Sequence, residues 1–570
     1  MVNITLPNGD VRQYPVGASG MEIAKSISDG LARVAVGIYV NNVPYDLSRP
    51  ITADATIRIV TFDNDEGKTI FWHSTAHLMA EALESLYPGV KFGIGPPIEA
   101  GFYYDVDLPG YAKLSIDDLP KIEAKMQELV KRDVPYERVE TTWQDAVAYF
   151  KEKGDEYKLE LLEGLKDSEI TFYRQGNFTD LCRGTHVPST GLIKYPKLLS
   201  VAGAYWRGDV TRKMLTRIYG IAFPKKAQLE EYLTQREEAE RRDHRKLGKE
   251  LEIYMITPMV GGGLPIWLPN GTILRRRLEA FLRDEQVKRG YQEVITPHIG
   301  NLELYKTSGH YPYYADSQFD PITVEGEQYL LKPMNCPHHH QIYSSKPRSY
   351  RDLPLRLSEF GTVYRYEQSG ELSGLSRVRG FTQDDAHIYC TDDQLKDEIK
   401  NVVELTQTVF QTFGMEVSTR LSFRDDNEAK YGGDLEHWER AQAEIKAVAD
   451  EMNLDYFIGE GEAAFYGPKI DFIVRDAIGR KWQLGTVQVD YVMPERFDLE
   501  YVGGDNTKHR PIIIHRAPFG SMERFISILI EHYAGNFPFW IAPVQVSILP
   551  IADAHQTFAQ DLRAEFESMG

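Results

Sequence analysis

Residues 356–387 constrain the fold more strongly than any other stretch of the sequence. Valine and tyrosine near the start favour extended backbone, and glycines and serines interrupt the middle, which is typical of two strands joined by a loop. We therefore predict a long antiparallel hairpin. Alternate residues of a strand share a face. In the second strand that face carries Phe381, Gln383, Asp385 and His387.

The polar side chains of this hairpin suit a nucleotide-binding cavity. Arg365 and Glu367, which share a face of the first strand, can bind a phosphate oxygen and an exocyclic amine. Phe381 offers an aromatic face to a purine, and His387 is a candidate metal ligand. Strand alternation alone would instead favour a polar sheet edge with surface ion pairs. The nucleotide site is favoured by two loop arginines, Arg377 and Arg379.

Length and composition predict a soluble cytoplasmic protein of several domains. The 570 residues suggest roughly four domains of about 150 residues each. The hydrophobic fraction of 42% and the charged fraction of 26% are ordinary for globular proteins. We find no signal-peptide pattern and no apolar run near the about 20 residues that span a membrane, so we expect no membrane partner.

Cysteine content and charge restrict the function classes. The 3 cysteines, Cys182, Cys336 and Cys390, favour thiol or metal chemistry over a disulfide framework, and Cys390 is expected to be structural. The net charge of -19 taken alone argues against nucleic-acid binding, because phosphate contacts need positive potential. Residues 236–249 are a local basic candidate, although a solvated helix with paired charges explains the same pattern.

Four residues in two pairs make the clearest metal-site hypothesis from the residues alone. His73 and His77 lie four residues apart in a stretch with helical spacing, so both imidazoles share a face. Cys182 and His186 repeat that separation. Three histidines and a cysteine can form a tetrahedral zinc site. The alternative is a set of capped or core histidines.

Two other patterns carry less information on their own. Cys336, His387 and His515 come from separate segments, and because no spacing rule links them, each taken alone is better explained as structural. The glycines at 261–263 are not followed by a Lys-Ser/Thr pair at P-loop spacing, so we predict a turn there.

Several strings of the sequence resemble class II aminoacyl-tRNA synthetases. Residues 364–367 with the charged loop after them resemble motif 2 of that class, residues 520–524 (GSMER) resemble motif 3, and residues 290–297 (GYQEVITP) resemble motif 1. Longer strings narrow the resemblance to the bacterial-type threonyl-tRNA synthetases and cover nearly the whole chain: HSTAH (73–77), DLCRGTH (180–186), LKPMNCP (331–337) and VRGFTQDDAH (378–387).

The resemblance implies an α+β multidomain fold with a class II antiparallel-sheet catalytic core. The chain order implied is a ubiquitin-like (TGS) domain at 1–62, an editing domain at 63–224, a linker helix at 225–248, the catalytic domain at 249–540 and the start of an α/β anticodon-binding domain at 541–570. We expect that last domain to be truncated, because PVQVSILPI followed by one helix is only the first half of a βαβ unit.

The activity implied is that of a threonine–tRNA ligase. Such an enzyme activates L-threonine with ATP and Mg²⁺ to threonyl-adenylate and pyrophosphate, and transfers threonine to the 3′ end of tRNA(Thr). In a separate editing site it hydrolyses mischarged seryl-tRNA(Thr). The resemblance also implies a homodimer formed through the helix predicted at 271–290 and the strand that follows.

The resemblance assigns ATP contacts residue by residue. Arg365 would bind the α-phosphate and the substrate carboxylate, Glu367 the adenine amine, and Arg377 the γ-phosphate. The adenine ring would lie between Phe381 and Arg524. The implied amino-acid contacts are Gln383, Asp385 and Tyr466. Further adenylate and substrate contacts implied are Lys469, Gln483, Thr486 and Gln488.

A zinc ion held by Cys336, His387 and His515 is the implied cofactor. Three protein ligands leave a coordination position open for substrate. A site that must bind the hydroxyl of threonine rejects valine strongly, whereas serine lacks only a methyl group and therefore requires editing. Residues 338–340, three histidines, could compete for the metal. His310 is implied as a proton acceptor for transfer to tRNA, although a lone loop histidine is more often a surface residue.

The implied editing residues are His73, His77, Asp180, Cys182 and His186, which orient water and relay protons near neutral pH. Related alanyl-type modules use similar residues as zinc ligands, and we favour water over zinc here. Three other functions compete: a class II synthetase for proline or serine, a zinc hydrolase without ligase activity, and an RNA-binding regulator with this fold. Retention of Arg365, Glu367 and Arg524 argues against the last of these.

Overall fold

The computed structural model describes residues 1–111, 114–427, 430–476 and 478–569, and it divides into two compact units. The first unit covers residues 1–234 and the second covers residues 235–570. Each unit has its own hydrophobic core. In the part of the chain that is described, no helix is both long and apolar enough to span a membrane.

The first unit starts with a five-stranded sheet, here called the N-terminal domain. From one edge to the other, its strands are Val11–Tyr14, Val2–Thr5, Ala55–Thr61, Ala35–Val40 and Val43–Tyr45. The 12 residues from Met21 to Ala32, whose spacing predicts one helix, belong to two helices, Gly20–Ile27 and Asp29–Val34, which meet at Ser28. Ser28 has extended backbone, and its hydroxyl accepts from the backbone of the second helix, which is a typical helix start.

The rest of the first unit surrounds the 22-residue helix Asp65–Leu86. This helix is apolar on most of its circumference, including Phe71, Leu78 and Met79, because elements pack around it. A long sheet contains the strands Tyr195–Tyr205, Met214–Phe223, Gly101–Asp107 and Lys91–Phe92, with Pro97–Ile98 beside the third of these. A smaller sheet contains Glu137–Thr141, Ile170–Gln175 and Phe178–Leu181. The remaining helices are Leu119–Arg132, Trp143–Lys153 and Glu156–Glu163.

The second unit is built on an eight-stranded sheet. In chain order its strands are β1 (Gln292–Glu293), β2 (Leu355–Tyr364), β3 (Gly380–Cys390), β4 (Glu416–Phe423), β5 (Tyr456–Glu460), β6 (Lys469–Arg475), β7 (Lys481–Asp490) and β8 (Ile512–Ala517). The spatial order is β1-β2-β3-β8-β7-β6-β4-β5, and only the outer pairs β1-β2 and β4-β5 are parallel. The predicted hairpin is confirmed as β2 and β3, paired from Leu355 opposite Tyr389 to Tyr364 opposite Gly380.

Helices pack on this sheet and small strand pairs flank it. The longer helices are Pro269–Lys288, Cys336–Ser344, Leu395–Thr412, Leu435–Glu451 and Met522–Tyr533, and the shorter ones are Leu302–Ser308, His310–Tyr313 and Val492–Arg496. The strand predicted after the helix Pro269–Lys288 is shorter than expected. Of the described residues there, only Gln292 and Glu293, which form β1, pair with β2. A small sheet of the second unit contains Ile299–Asn301, Ile322–Val324 and Glu327–Leu331. Two strand pairs also lie in this unit: Tyr254–Met255 with Ile266–Trp267, and Tyr501–Val502 with Lys508–His509. In the first unit, Ala18–Ser19 pairs with Pro50–Ile51. Residues 261–263 lie in the predicted turn.

Two helical predictions need correction. The linker predicted as one helix is two, Lys226–Arg242 and His244–Glu250, because Asp243 leaves helical backbone and its carboxylate caps the second helix by accepting from the Arg245 amide at 2.7 Å. The strand predicted at PVQVSILPI is absent from the described residues, although the helix Gln556–Met569 follows it. A strand needs a hydrogen-bonding neighbour, and this segment has none among the described strands.

Candidate active sites

A cavity of about 390 Å³ opens in the second unit at the hairpin β2-β3. The face predicted for β3 lines it, and it includes fourteen of the residues predicted to bind ATP, amino acid or metal: Cys336, Arg365, Glu367, Arg377, Phe381, Gln383, Asp385, His387, Tyr466, Gln483, Thr486, Gln488, His515 and Arg524. Arg365 and Glu367 follow the end of β2 rather than lying within it. The tertiary fold thus brings together side chains from the hairpin, β7, β8 and the helix Met522–Tyr533.

Cys336, His387 and His515 converge on one side of the cavity. Each offers a ligand atom, and these atoms all lie within 4.8 Å of one another. His387 on β3 stands directly opposite His515 on β8, and Cys336 begins the helix Cys336–Ser344. Burial raises the pKa of the Cys336 thiol well above its usual value, so a thiolate here needs a cation beside it. One sulfur and two imidazole nitrogens form a donor set that fits zinc.

His387 and His515 each use one ring nitrogen in a hydrogen bond, which leaves the other nitrogen of each for a ligand in the cavity. Nδ1 of His387 lies 2.8 Å from Nδ1 of His339, whose Nε2 lies 3.3 Å from the Glu359 carboxylate. Nε2 of His515 lies 2.8 Å from Oδ2 of Asp490. A carboxylate partner such as Asp490 is typical of a metal-binding histidine. His339 therefore supports His387 and does not compete with it.

The cavity is also lined by two guanidinium groups, those of Arg365 and Arg524, that have no carboxylate partner among the described residues. Arg365 lies 3.7 Å from the Met334 sulfur and stands over the Phe381 ring, 5.1 Å from its centroid. Arg524 donates from Nε to the Ser376 carbonyl at 3.1 Å. No ion pair of either arginine is found among the described residues, and burial lowers the pKa of both. Buried cations without a counter-ion create a binding site for an anion.

The loop of the hairpin differs in one respect from the prediction. Arg377 is ion-paired with Glu367, with its Nε 2.8 Å from Oε2, and it also lies 3.5 Å from Glu371. Arg377, predicted to bind the γ-phosphate, and Glu367, predicted to bind the adenine amine, therefore bind each other in this structure. One carboxylate oxygen of Glu367 remains free of Arg377, and the Arg377 side chain is 48% exposed, so it can turn toward a ligand.

The remaining cavity contacts form two hydrogen-bonded pairs and one larger group. Asp385 accepts from the Asn335 side-chain amide at 3.1 Å, and burial raises the pKa of its carboxyl. The Tyr466 hydroxyl donates to Gln488 at 2.5 Å. The larger group centres on the buried Asp471, which sequence reasoning missed. Its carboxylate lies within 3.1 Å of polar atoms of five described side chains: Arg420, Ser422, Lys469, Gln483 and Thr486. Nothing local in the sequence distinguishes this carboxylate from the others.

His310 is buried, so the reading of it as a surface loop residue is wrong. Its Nδ1 lies 2.7 Å from the Ser308 hydroxyl, and its Nε2 lies 4.0 Å from the Cys336 sulfur. Burial lowers its pKa to about 3, and the imidazole is therefore neutral at physiological pH. A neutral imidazole beside the cavity can accept a proton.

A second cluster lies in the first unit and unites His73, His77, Cys182 and His186. Their ligand atoms all lie within 4.8 Å of one another. The Cys182 sulfur is 3.4 Å from Nε2 of His73 and 3.3 Å from Nε2 of His186. Burial lowers the pKa of His73 to about 4 and of His77 to about 3, and raises the pKa of Cys182 to about 12. Nδ1 of His77 is buried without a hydrogen-bond partner in the structure, so this pocket can hold water or a polar ligand.

Asp180 is buried near this cluster and makes an ion pair that sequence reasoning missed. Its carboxylate lies 2.8 Å from Nζ of Lys158, and it accepts from the Tyr104 hydroxyl. Lys158 lies on the helix Glu156–Glu163, 22 residues from Asp180 in the sequence. No short motif connects them. The ion pair keeps the Asp180 pKa below its usual value against the opposing effect of burial.

Comparison with known proteins identifies three families in the chain. Residues 2–61 match the TGS domain, residues 170–219 match the threonyl and alanyl tRNA synthetase second additional domain, and residues 319–533 match the tRNA synthetase class II core domain (G, H, P, S and T). The threonine–tRNA ligase of Chloroherpeton thalassium is 60% identical over 589 residues, covering 100% of this chain and 89% of that protein. The chain belongs to the threonine–tRNA ligase family. The enzyme of Cytophaga hutchinsonii is 59% identical and covers 99% of this chain and 88% of its own length.

Solved structures agree with this membership of the threonine–tRNA ligase family. A structure described as the RNA binding domain of threonyl-tRNA synthetase from Cryptosporidium parvum is 39% identical with a TM-score of 0.56, covering 57% of this chain and 82% of that one. A putative threonyl-tRNA synthetase from Aeropyrum pernix is 34% identical with a TM-score of 0.50, covering 57% and 76%. The family resemblance and the fold class predicted from sequence are confirmed. The five domain boundaries stay a prediction.

Proposed function

We propose that this chain activates L-threonine with ATP, transfers it to the 3′ end of tRNA(Thr), and hydrolyses mischarged seryl-tRNA(Thr) at a separate site. One observation carries the proposal: a single cavity joins two guanidinium groups, which have no counter-ion among the described residues, to a buried cysteine and two histidines. The two guanidinium groups suit a triphosphate, and the cysteine with the two histidines suits a substrate-binding metal. The histidine cluster of the first unit supplies the hydrolytic site.

Arg365 and Arg524 act on the nucleotide. ATP enters with Mg²⁺ on its phosphates, and the adenine ring lies between Phe381 and Arg524. Arg365 holds the α-phosphate beside the threonine carboxylate, and it stabilises the charge that develops while a carboxylate oxygen attacks phosphorus and pyrophosphate leaves. Arg377 leaves Glu367 to bind the γ-phosphate, which frees Glu367 for the adenine amine.

Zinc is the proposed cofactor of the amino-acid site, held by Cys336, His387 and His515. When bound, it supplies a Lewis-acid position that takes the hydroxyl and amine of threonine as ligands. Asp385, Gln383 and Tyr466 orient the substrate beside it. His310, neutral and buried, accepts a proton during transfer to tRNA. Valine lacks the hydroxyl and is therefore rejected strongly.

The hydrolytic site works with water in our proposal. His73, His77 and His186 stay neutral at physiological pH because burial lowers the pKa of each. Neutral imidazoles can hold a water molecule and accept its proton as it attacks the seryl ester. Asp180, held by Lys158, adds negative charge near the cluster. Zinc held by the same four side chains is the second candidate, and the spacing of their ligand atoms supports it.

We also propose a cytoplasmic homodimer. The helix Pro269–Lys288 and the strand region after it expose apolar side chains, among them Val287 and Ile295, the second of which is 92% exposed. Apolar surface of this kind is typical of subunit contacts. Sedimentation at several protein concentrations would test this assembly, and a chain that stays monomeric at micromolar concentration would refute it.

Replacement of Cys336 by serine is expected to remove zinc and threonine selectivity together. Serine replaces the sulfur ligand by a hydroxyl, which binds zinc weakly at neutral pH. We expect purified wild-type protein to hold one zinc per chain and the variant less than about a tenth of that, with at least about 100-fold weaker threonine-dependent ATP–pyrophosphate exchange. Metal analysis and exchange with threonine, valine, serine and proline would measure both effects.

Cys390 provides the matched control for that experiment. It is buried and lies outside the cavity, so Cys390→Ser should keep both zinc and exchange. Wild-type protein without stoichiometric metal, or with equal activation of valine and threonine, would contradict the proposed amino-acid site.

His244 is expected to position the hairpin loop for ATP. Its Nε2 accepts from the Leu375 amide at 3.1 Å, and its Nδ1 lies 2.6 Å from Glu531. Leu375 precedes Ser376, whose carbonyl binds Arg524. His244→Ala leaves a buried amide without an acceptor, so we expect the KM for ATP to rise about 10-fold. Exchange measured against ATP concentration would test this, with the exposed Lys246→Ala on the same helix as control. An unchanged KM would show that the loop does not depend on His244.

A further inference from the structure

The buried carboxylate of Asp46 connects the N-terminal domain to the histidine cluster. Asp46 follows the strand Val43–Tyr45 and precedes Leu47, which lies in the core of the N-terminal domain. Its two oxygens accept from the Tyr173 hydroxyl at 2.7 Å and from the His186 backbone amide at 3.1 Å. Asp46 is only 8% exposed, so water competes weakly for these bonds.

Other contacts hold the His186 ring, and Asp46 holds its backbone. The Ser74 hydroxyl lies 3.1 Å from Nδ1 of His186, and the Tyr136 ring stacks on the imidazole with centroids 5.0 Å apart. The Tyr173 ring also lies against the His186 imidazole, with ring centroids 4.5 Å apart. With its Nδ1 and its backbone both fixed, His186 directs Nε2 to the Cys182 sulfur.

The loop between Cys182 and His186 packs directly on Tyr173. A Cβ added at Gly184 would lie 2.1 Å from the Tyr173 hydroxyl oxygen. The backbone of the loop therefore packs against this hydroxyl with no room for a side chain between them. Asp46 accepts from both the hydroxyl and the end of the loop. Loss of its carboxylate would therefore leave two buried donors without an acceptor.

We propose that Asp46 is a positioning residue for hydrolysis of seryl-tRNA, through which the N-terminal domain takes part in editing. It acts through His186 and Tyr173 and has no assigned contact with substrate. This inference rests on the proposed editing function. It gives the N-terminal domain a role in editing.

Kinetics of full-length variants would test the proposal. For Asp46→Ala we expect the kcat of seryl-tRNA(Thr) deacylation to fall at least about 10-fold, because two buried hydrogen bonds to a carboxylate are lost. The KM for seryl-tRNA and threonine-dependent exchange should stay within about 2-fold, since exchange uses the second unit. Asp46→Asn should recover most of the loss, because its amide oxygen still accepts from the His186 amide. Asp10→Ala, exposed in the same domain, is the matched control.

Two further variants keep the test decisive if Asp46→Ala fails to fold. Tyr173→Phe removes the hydrogen bond from the Tyr173 hydroxyl to Asp46 and should lower the kcat of deacylation by an intermediate factor. In the double variant of Tyr173→Phe and Asp46→Asn, kcat should fall by less than the product of the two single reductions. Wild-type deacylation rates in Asp46→Ala or in Tyr173→Phe would overturn the inference. Wild-type protein that does not deacylate seryl-tRNA would instead refute the editing function itself.

Discussion

Replacing Arg365 by lysine should lower threonine-dependent ATP–pyrophosphate exchange at least about 100-fold, because it removes a donor aimed at charge that develops during adenylate formation. The guanidinium stands over Phe381 with no carboxylate partner among the described residues, so its charge is available to the substrate. Lysine keeps the charge but loses the planar pair of donors that can bind a phosphate and a carboxylate together. We expect the loss mainly in kcat, with a smaller change in the KM for ATP.

Exchange kinetics at saturating threonine would measure this effect. Arg563→Lys is the matched control, because Arg563 lies on an exposed helix and pairs with Glu567 four residues away, a contact that lysine can also make. Thermal unfolding should be unchanged in both variants. An Arg365→Lys enzyme within about 3-fold of wild type would remove Arg365 from the adenylation step, since single transition-state donors usually contribute far more.

Replacing His73 by alanine should abolish editing while sparing activation. We expect deacylation of seryl-tRNA(Thr) to fall at least about 100-fold, which is the range for loss of a general acid–base group. Exchange with threonine should be unchanged, because the adenylate cavity is lined entirely by residues of the second unit. In the charging reaction, seryl-tRNA(Thr) should then accumulate when serine is supplied.

Deacylation of purified seryl-tRNA and exchange, measured on the same preparation, would separate the two activities. His555→Ala is the control, since His555 is exposed and far from the cluster in sequence. A variant that loses both activities in parallel would indicate a folding defect, which thermal unfolding would reveal. A variant that retains deacylation would exclude His73 from editing and, with it, the water mechanism proposed above.

Local patterns predicted the parts of the fold that depend on neighbouring residues. Alternation along β3 placed Phe381, Gln383, Asp385 and His387 on one face, because side-chain direction in a strand has a period of two. Spacing of four placed His73 and His77 together on a helix. These geometric rules hold whatever surrounds the segment.

Features that depend on distant residues could not be predicted from patterns. The Lys158–Asp180 ion pair, the burial of His310 and the carboxylate of Asp471 all result from packing between elements far apart in the chain. The cluster of Cys336, His387 and His515 had no spacing signal and was found through the family resemblance alone. The missing strand at 543–551 shows the same limit, since extended-chain preference does not supply a pairing partner.

The hydrogen bond between His387 and His339 also determines the tautomer of His339, whose ring is not one of the proposed metal ligands. If Nε2 of His387 gives its lone pair to zinc, Nδ1 must carry the proton and donate it to Nδ1 of His339. His339 must then be protonated on Nε2, which faces Glu359. Loading the metal would thus select one proton arrangement across three residues, and nitrogen chemical shifts of His339 would report whether a cation is bound beyond it.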